Sequence, residues 1–172
     1  SNVQGDRTVG IWEKMGDDFM HKLGEEFHFT PPPKHGFDAV KGLQAMHDGR
    51  LKVFMAMGGN LLSAGPDTEF AAEAFRKMNL TVMVSTKLNR NHLVTGRQAL
   101  ILPCLGRTEK DEQQAGEQFV SCENSMGVVQ ESRGVRKPAS EQLMSEVAIV
   151  CHLAQATLAE RSTVDWPGLG AN

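Results

Sequence analysis

Three short apolar runs punctuate the middle of the chain: "VFMAM" (Val53–Met57), "LTVMV" (Leu80–Val84) and "ALILP" (Ala99–Pro103). They are continuous rather than alternating. Runs of that length between turn formers read as strands buried on both faces. After the first run, Asp67 or Thr68 is placed to cap a helix reaching about Met78. Phe70, Ala71, Ala74, Phe75 and Met78 fall on one face of it. "NRNHLVTG" predicts a connector with a helical turn before the third run. Strand, helix, strand, connector, strand is the order of parallel βαβ units, so the predicted class is α/β.

The flanks carry weaker patterns. "KMGDDFMHKLGEEF" predicts a short helix with Phe19, Leu23 and Phe27 on one face. "TPPPKHG" stops it, because successive prolines remove donors and hold an extended path. Asp38 can cap a helix over "AVKGLQAMHDG", with Val40, Leu43 and Met46 inward and Gly49 as the stop. After Pro103 comes a polar loop, "CLGRTEKDEQQAGEQ", and "FVSCEN" and "GVVQES" then predict a hairpin or two edge strands. A last helix capped near Ser145 would turn Val147, Val150, Cys151, Ala154 and Leu158 to one side. The tail "STVDWPGLGAN" is expected to be ragged. The expected organisation is a lead-in over 1–50, an α/β domain over 51–162 and a tail over 163–172.

Composition narrows the function classes. With 172 residues, 40% hydrophobic and 23% charged, the chain is globular and long enough for a sizeable core. A net charge of −3 gives no bulk attraction to nucleic acid. No apolar run approaches the ~20 residues that span a bilayer, and no signal peptide is visible. A cytoplasmic protein without membrane contact is expected. A chain opening on Ser1 rather than Met is expected to be a piece of a longer protein, or to carry a tag remnant at Ser1 and Asn2. Cys104, Cys122 and Cys151 match no zinc or iron–sulfur spacing and read as reduced thiols. The six histidines show no metal spacing, and neither G-x-S-x-G nor a P-loop is present. No catalytic or metal-ligating residue is assigned.

The candidate chemistry lies at the strand ends. "MGGN" ends the first run, and in open α/β sheets ligands sit beyond the carboxyl ends of the strands. Gly58 and Gly59 permit positive φ and close backbone approach. Asn60 offers a donor and an acceptor. The dinucleotide fingerprint G-x-G-x-x-G is absent, and Asp67 and Glu69 crowd the next helix start. Acids there satisfy the helix N-terminus themselves, which argues against an ordinary NAD site. Between Ser85 and Lys110, five cations (Lys87, Arg90, Arg97, Arg107 and Lys110) face the single acid Glu109. That basic mouth suits a pyrophosphate or another anion. Ser85, Thr86, Asn89 and Asn91 could hydrogen-bond a base or ribose, and His92 could touch a ligand. Two plainer readings stay open: glycines after a strand are commonly turn formers, and a basic loop can be an ordinary solvated surface.

Four stretches carry a family resemblance: "SNVQGDRTVGIWEK", "VFMAMGGNLLSAGPDT", "VSTKLNRNHLVTGRQALILPCLGRTEKD" and "ENSMGVVQESRGVRKPASEQLMSE". Together they resemble the FdhF/YdeP-type molybdopterin oxidoreductases, formate dehydrogenase-like members of the DMSO reductase family. The resemblance runs from Asn2 to about Trp166. It implies a Rossmann-like parallel sheet with flanking helices, the third domain of a larger oxidoreductase. It further implies half of a binding site for a bis(molybdopterin guanine dinucleotide) molybdenum cofactor, inactive alone. Carried over position by position, Gly58, Gly59, Asn60, Ser85, Thr86 and Lys87 would contact one guanine dinucleotide. Asn2, Gln4 and Gly5 would pass close to the cofactor, and Arg107 and Glu109 would belong to the loop after the third strand. Two positions depart from the pattern: Leu61 stands where members often carry Pro, and Ser85 where many carry an acid. The implied partners are the remaining domains of the parent chain. An iron–sulfur cluster in the parent would find no ligands here. The alternative is a non-catalytic α/β module, structural or partner-docking, that has lost its ligand.

Overall fold

The computed structural model describes Arg7, Trp12 and residues 14–171. In chain order its elements are α1 (Asp17–Phe27), α2 (Ala39–His47), β1 (Val53–Met57), α3 (Leu61–Ala64), α4 (Thr68–Arg76) and β2 (Leu80–Ser85). A 3₁₀ turn (Arg90–Leu93), β3 (Gln98–Pro103), β4 (Glu112–Gln113), β5 (Gly116–Glu117), β6 (Val120–Glu123) and β7 (Val129–Ser132) follow. The chain closes with α5 (Glu146–Leu158), a 3₁₀ turn (Ala159–Arg161) and α6 (Trp166–Ala171). Two compact units result, one over Gly36–Leu105 and one from Ser1–His35 together with Gly106–Asn172.

The Gly36–Leu105 unit holds the predicted parallel sheet, while residues 106–162, read from the sequence as part of the same α/β domain, fall in the other unit. Its three strands are parallel in the order β1-β2-β3, with Val53 opposite Leu80 and Leu80 opposite Gln98. The sheet is Rossmann-like in its parallel strands and flanking helices. Asp38 caps α2 by accepting the Lys41 N–H at 2.8 Å, and Asp67 caps α4 by accepting the Phe70 N–H at 2.9 Å. Leu43 and Met46 of α2 join Ala71, Ala74 and Phe75 of α4, Met78 and Met83 in the core. Phe54 meets Phe75 edge-on at 4.6 Å. His47 stacks on Phe70 and ties α2 to α4, a structural role. The connection from β2 to β3 hugs the same side. Gly96 donates to Thr81 Oγ1 at 3.3 Å, and a Cβ on Gly96 would lie 2.6 Å from the Met78 carbonyl. Only glycine fits that approach.

Two sequence expectations fail here. β2 is buried over 81–84 and half-buried at its two ends, whereas β1 alternates between exposed and half-buried and β3 is mostly exposed. The reason is that β1 and β3 each pair only with β2, and α2 and α4 cover the face carrying Phe54 and Met83. Val40, expected inward, is exposed, and Ala45 takes its place.

The other unit holds α1, two small hairpins (β4 with β5, β6 with β7) and α5 packed with α6. The β6–β7 pair is the hairpin read from "FVSCEN" and "GVVQES". Ser145 caps α5 through the Ala148 N–H at 3.2 Å. The buried side of α5 is Ala148, Ile149 and Cys151, while Val147 and Val150 are exposed. A helix apolar on nearly every side gives periodicity no single face to select. The tail is not ragged where it is described. It forms α6, whose Gly170 lies so close that a Cβ would sit 3.1 Å from Cys151 Cβ.

Candidate functional site

The Gly58–Asn60 turn leaves β1, and the Ser85–Lys87 loop leaves β2. Met57 is opposite Val84 in a parallel pair, so turn and loop emerge side by side at the same sheet end. The Gly58 N–H donates to the Val84 carbonyl at 2.8 Å and pins the start of the turn to β2. Gly58 has φ of 65° and Gly59 of 69°. That left-handed region costs a side-chain-bearing residue roughly 1–2 kcal/mol. A Cβ at either glycine would meet nothing within 4 Å. Backbone conformation rather than crowding therefore demands glycine, and the space beside both is open. Asn60 stands at the start of α3 without capping it, and its Oδ1 is buried with no hydrogen-bond partner.

The second loop is braced from within. The Ser85 hydroxyl donates to the Lys87 carbonyl at 2.8 Å. Thr86 and Lys87 are exposed. Asn89 then reaches back to the first turn, its Nδ2 donating to the Gly59 carbonyl at 2.8 Å. Its Oδ1 accepts the Asn91 N–H, and its own N–H donates to His92 Nδ1, both at 2.9 Å. Asn91 is buried, and its Oδ1 accepts the Leu62 N–H at 2.8 Å. That N–H is one of the orphan donors at the start of α3. The two amides expected to meet a base or ribose thus bind the protein instead. Sequence reasoning missed this clamp. The available signal was Asn89 three positions before His92 at the head of a helical turn, a capping pattern.

Charge at this end of the unit comes from Lys87 and Arg90, both exposed. The start of α4 is occupied by its own acids, Asp67 as cap and Glu69 in the first turn. The strand order is sequential, so these three strands contain no reversal of order. The site rests on adjacent strand ends alone.

The remaining candidates lie elsewhere. Asn2, Gln4 and Gly5 are outside the described residues. Arg107 and Glu109 belong to the other unit. Arg107 Nε donates to Ser132 Oγ at 3.0 Å. Glu109 accepts the Gly106 N–H at 2.6 Å through Oε2 and the Ala139 N–H at 2.7 Å through Oε1. These donors, Gly106 first, hold its carboxyl below its ordinary value of 4.5. Both its oxygens therefore fasten the chain at 106 to the chain at 139. The same unit has a separate cleft of about 390 Å³ beside Trp12, Met20, His21 and Pro31–Pro33. Among the described residues, no three of His, Cys, Asp and Glu gather as a metal site. None of the described helices is long and apolar enough to cross a membrane.

No family model matches the chain. The curated relatives it resembles include proteins named as oxidoreductases. Over 166 residues it is 55% identical to uncharacterized oxidoreductase Rv2900c of Mycobacterium tuberculosis (strain ATCC 25618 / H37Rv). The match covers 96% of this chain and 21% of that protein. Identity to protein YdeP of Escherichia coli (strain K12) is 49%, over 96% of this chain and 22% of that one. The chain spans about a fifth of the length of the curated relatives it matches.

Proposed function

We propose that the chain is a cofactor-binding α/β segment of a molybdopterin oxidoreductase. The Gly58–Asn60 turn and the Ser85–Lys87 loop would grip one guanine dinucleotide of a bis(molybdopterin guanine dinucleotide) cofactor. The reading is supported by the sequence resemblance and by relatives named as oxidoreductases that are about five times longer. The observation that carries it is the clamped pair of strand-end loops with open space beside both glycines. The residues fit such a group. Gly58 and Gly59 leave room for backbone approach, Asn60 Oδ1 lacks a partner, and Lys87 offers a cation at the rim. The bound group would supply the redox chemistry, and this chain's residues would hold and orient it. Because the Asn89 and Asn91 amides already serve the clamp, base recognition falls to Ser85, Thr86 and main-chain groups. The Ser85 oxygen can still accept, even while its proton is used on Lys87.

The test is made in a full-length protein carrying this segment. Lys87→Glu and Gly59→Val are compared with the natural sequence for molybdenum by elemental analysis and for released pterin by fluorescence. Both variants are expected to lower cofactor content several-fold with far-UV circular dichroism unchanged. Full cofactor content in both would overturn the reading.

A second reading keeps the module but not the ligand, and the internal use of Asn89, Asn91 and the Ser85 hydroxyl favours it. It requires that Lys87→Glu with Arg90→Glu leave cofactor loading unchanged.

A further inference from the structure

Two peptide groups of the first turn are fastened to β2 and the chain that leaves it. The Gly58 N–H is held by the Val84 carbonyl, and the Gly59 carbonyl by Asn89 Nδ2, both at 2.8 Å. A third tie joins Asn91 Oδ1 to the Leu62 N–H, also at 2.8 Å. The ties at 59 and 62 bracket Asn60, whose Oδ1 is buried without a partner. Hydrogen bonding fixes which atom of the Asn89 amide does what. The atom that accepts the Asn91 N–H must be the oxygen, which leaves the nitrogen for the Gly59 carbonyl.

The Asn89 tie has a directional effect. A trans peptide points its carbonyl and the following N–H in opposite directions, and the described residues contain no cis bond. With the Gly59 carbonyl drawn to Asn89, the Asn60 N–H faces the other way. Among the described residues that N–H donates to no acceptor. Glycine does not hold this orientation by itself. Gly59 has φ of 69° and nothing within 4 Å of where a Cβ would be, so its peptide is free to turn. A flipped peptide would present a carbonyl where the N–H now stands. Among the described residues, Asn89 Nδ2 is the donor that holds the Gly59 carbonyl against that flip.

We infer that Asn89 is a positioning residue of the strand-end site. It keeps the donor side of the Gly59–Asn60 peptide, rather than the carbonyl, turned to a bound ligand. The ligand group this suits is one that accepts hydrogen bonds, such as a phosphate oxygen, in keeping with the exposed cations Lys87 and Arg90 in the second loop. The inference rests on the reading that this turn grips a cofactor. In this role Asn89 touches no ligand and acts through Gly59 and Asn60. Capping the 3₁₀ turn is a separate task of the same side chain, carried out by its other atom, Oδ1. Substitution can therefore remove one task and keep the other.

The experiment introduces Asn89→Ser and Asn89→Asp into the full-length protein. Molybdenum and released pterin are measured against the natural sequence. Serine and aspartate cap a helical turn about as well as asparagine. A residue needed for capping alone would leave both variants fully loaded. Neither variant can make the tie: the serine hydroxyl is one bond shorter, and a carboxylate sets an acceptor against the Gly59 carbonyl. Cofactor content is expected to fall several-fold in Asn89→Ser and further in Asn89→Asp, with amide exchange at Asn91 unchanged in both. Natural loading in either variant would overturn the inference and leave the function reading intact. Lost cofactor accompanied by faster exchange at Asn91 in both variants would reduce Asn89 to a cap and overturn it too. A natural full-length protein without molybdenum or pterin would overturn the function reading, and this inference with it.

Discussion

Gly58 and Gly59 illustrate how a residue can be required by backbone alone. Nothing crowds either position, yet both sit in the left-handed region. Gly58→Ala is expected to cost about 1–2 kcal/mol locally. The measurement is amide hydrogen exchange across 57–64 in the full-length protein, where a faster rate is expected in the variant. Gly58→Asn should lie between the two, since Asn tolerates that region better than Ala. Gly96 is glycine for the opposite reason, a carbonyl 2.6 Å from where its Cβ would be. Both kinds of glycine look the same in sequence. The pair after the first apolar run was legible as a turn, while the crowding at Gly96 depends on Met78, distant until the chain folds.

At the scale of elements, side-chain bonds decide which loops are held together. Asn91 bridges the second loop to the start of α3 through its buried contact to the Leu62 N–H. Asn91→Ala is expected to lose about 1–3 kcal/mol, the cost of stranding a buried donor. Faster exchange of the Leu62 amide is the readout, and an unchanged rate would contradict the clamp. In the other unit, Glu109 plays the equivalent part for the segments at 106 and 139. Its carboxyl titrates lower in the folded chain than its ordinary 4.5. A depressed value means the charged form is the stabilising one. Its contribution is complete above about 4.5 and fades as pH falls through that value toward the folded one. Exchange protection at Gly106 and Ala139 should therefore weaken on acidification, and Glu109→Gln should flatten that dependence. The three strands and the caps at Asp38, Asp67 and Ser145 were readable because local propensity and tertiary packing agree there. The inward side of α5 was not, because a helix apolar all round leaves the choice to its neighbours.

For the whole molecule, the sequence suggested three strands buried on both faces, and only the middle of β2 meets that expectation. What could not be read is strand position: β1 and β3 lie at the two edges of the three-stranded sheet and β2 between them, and an apolar run does not record its place in the order. The apolar side chains left exposed on β1 and β3 have a thermal consequence. Burial of apolar surface carries a large negative heat capacity, so the attraction it provides fades on cooling. A joint made from Val53, Met55, Met57 and Leu100 has no charge pair to compensate. Any contact that these side chains make in a full-length protein is therefore expected to weaken on cooling.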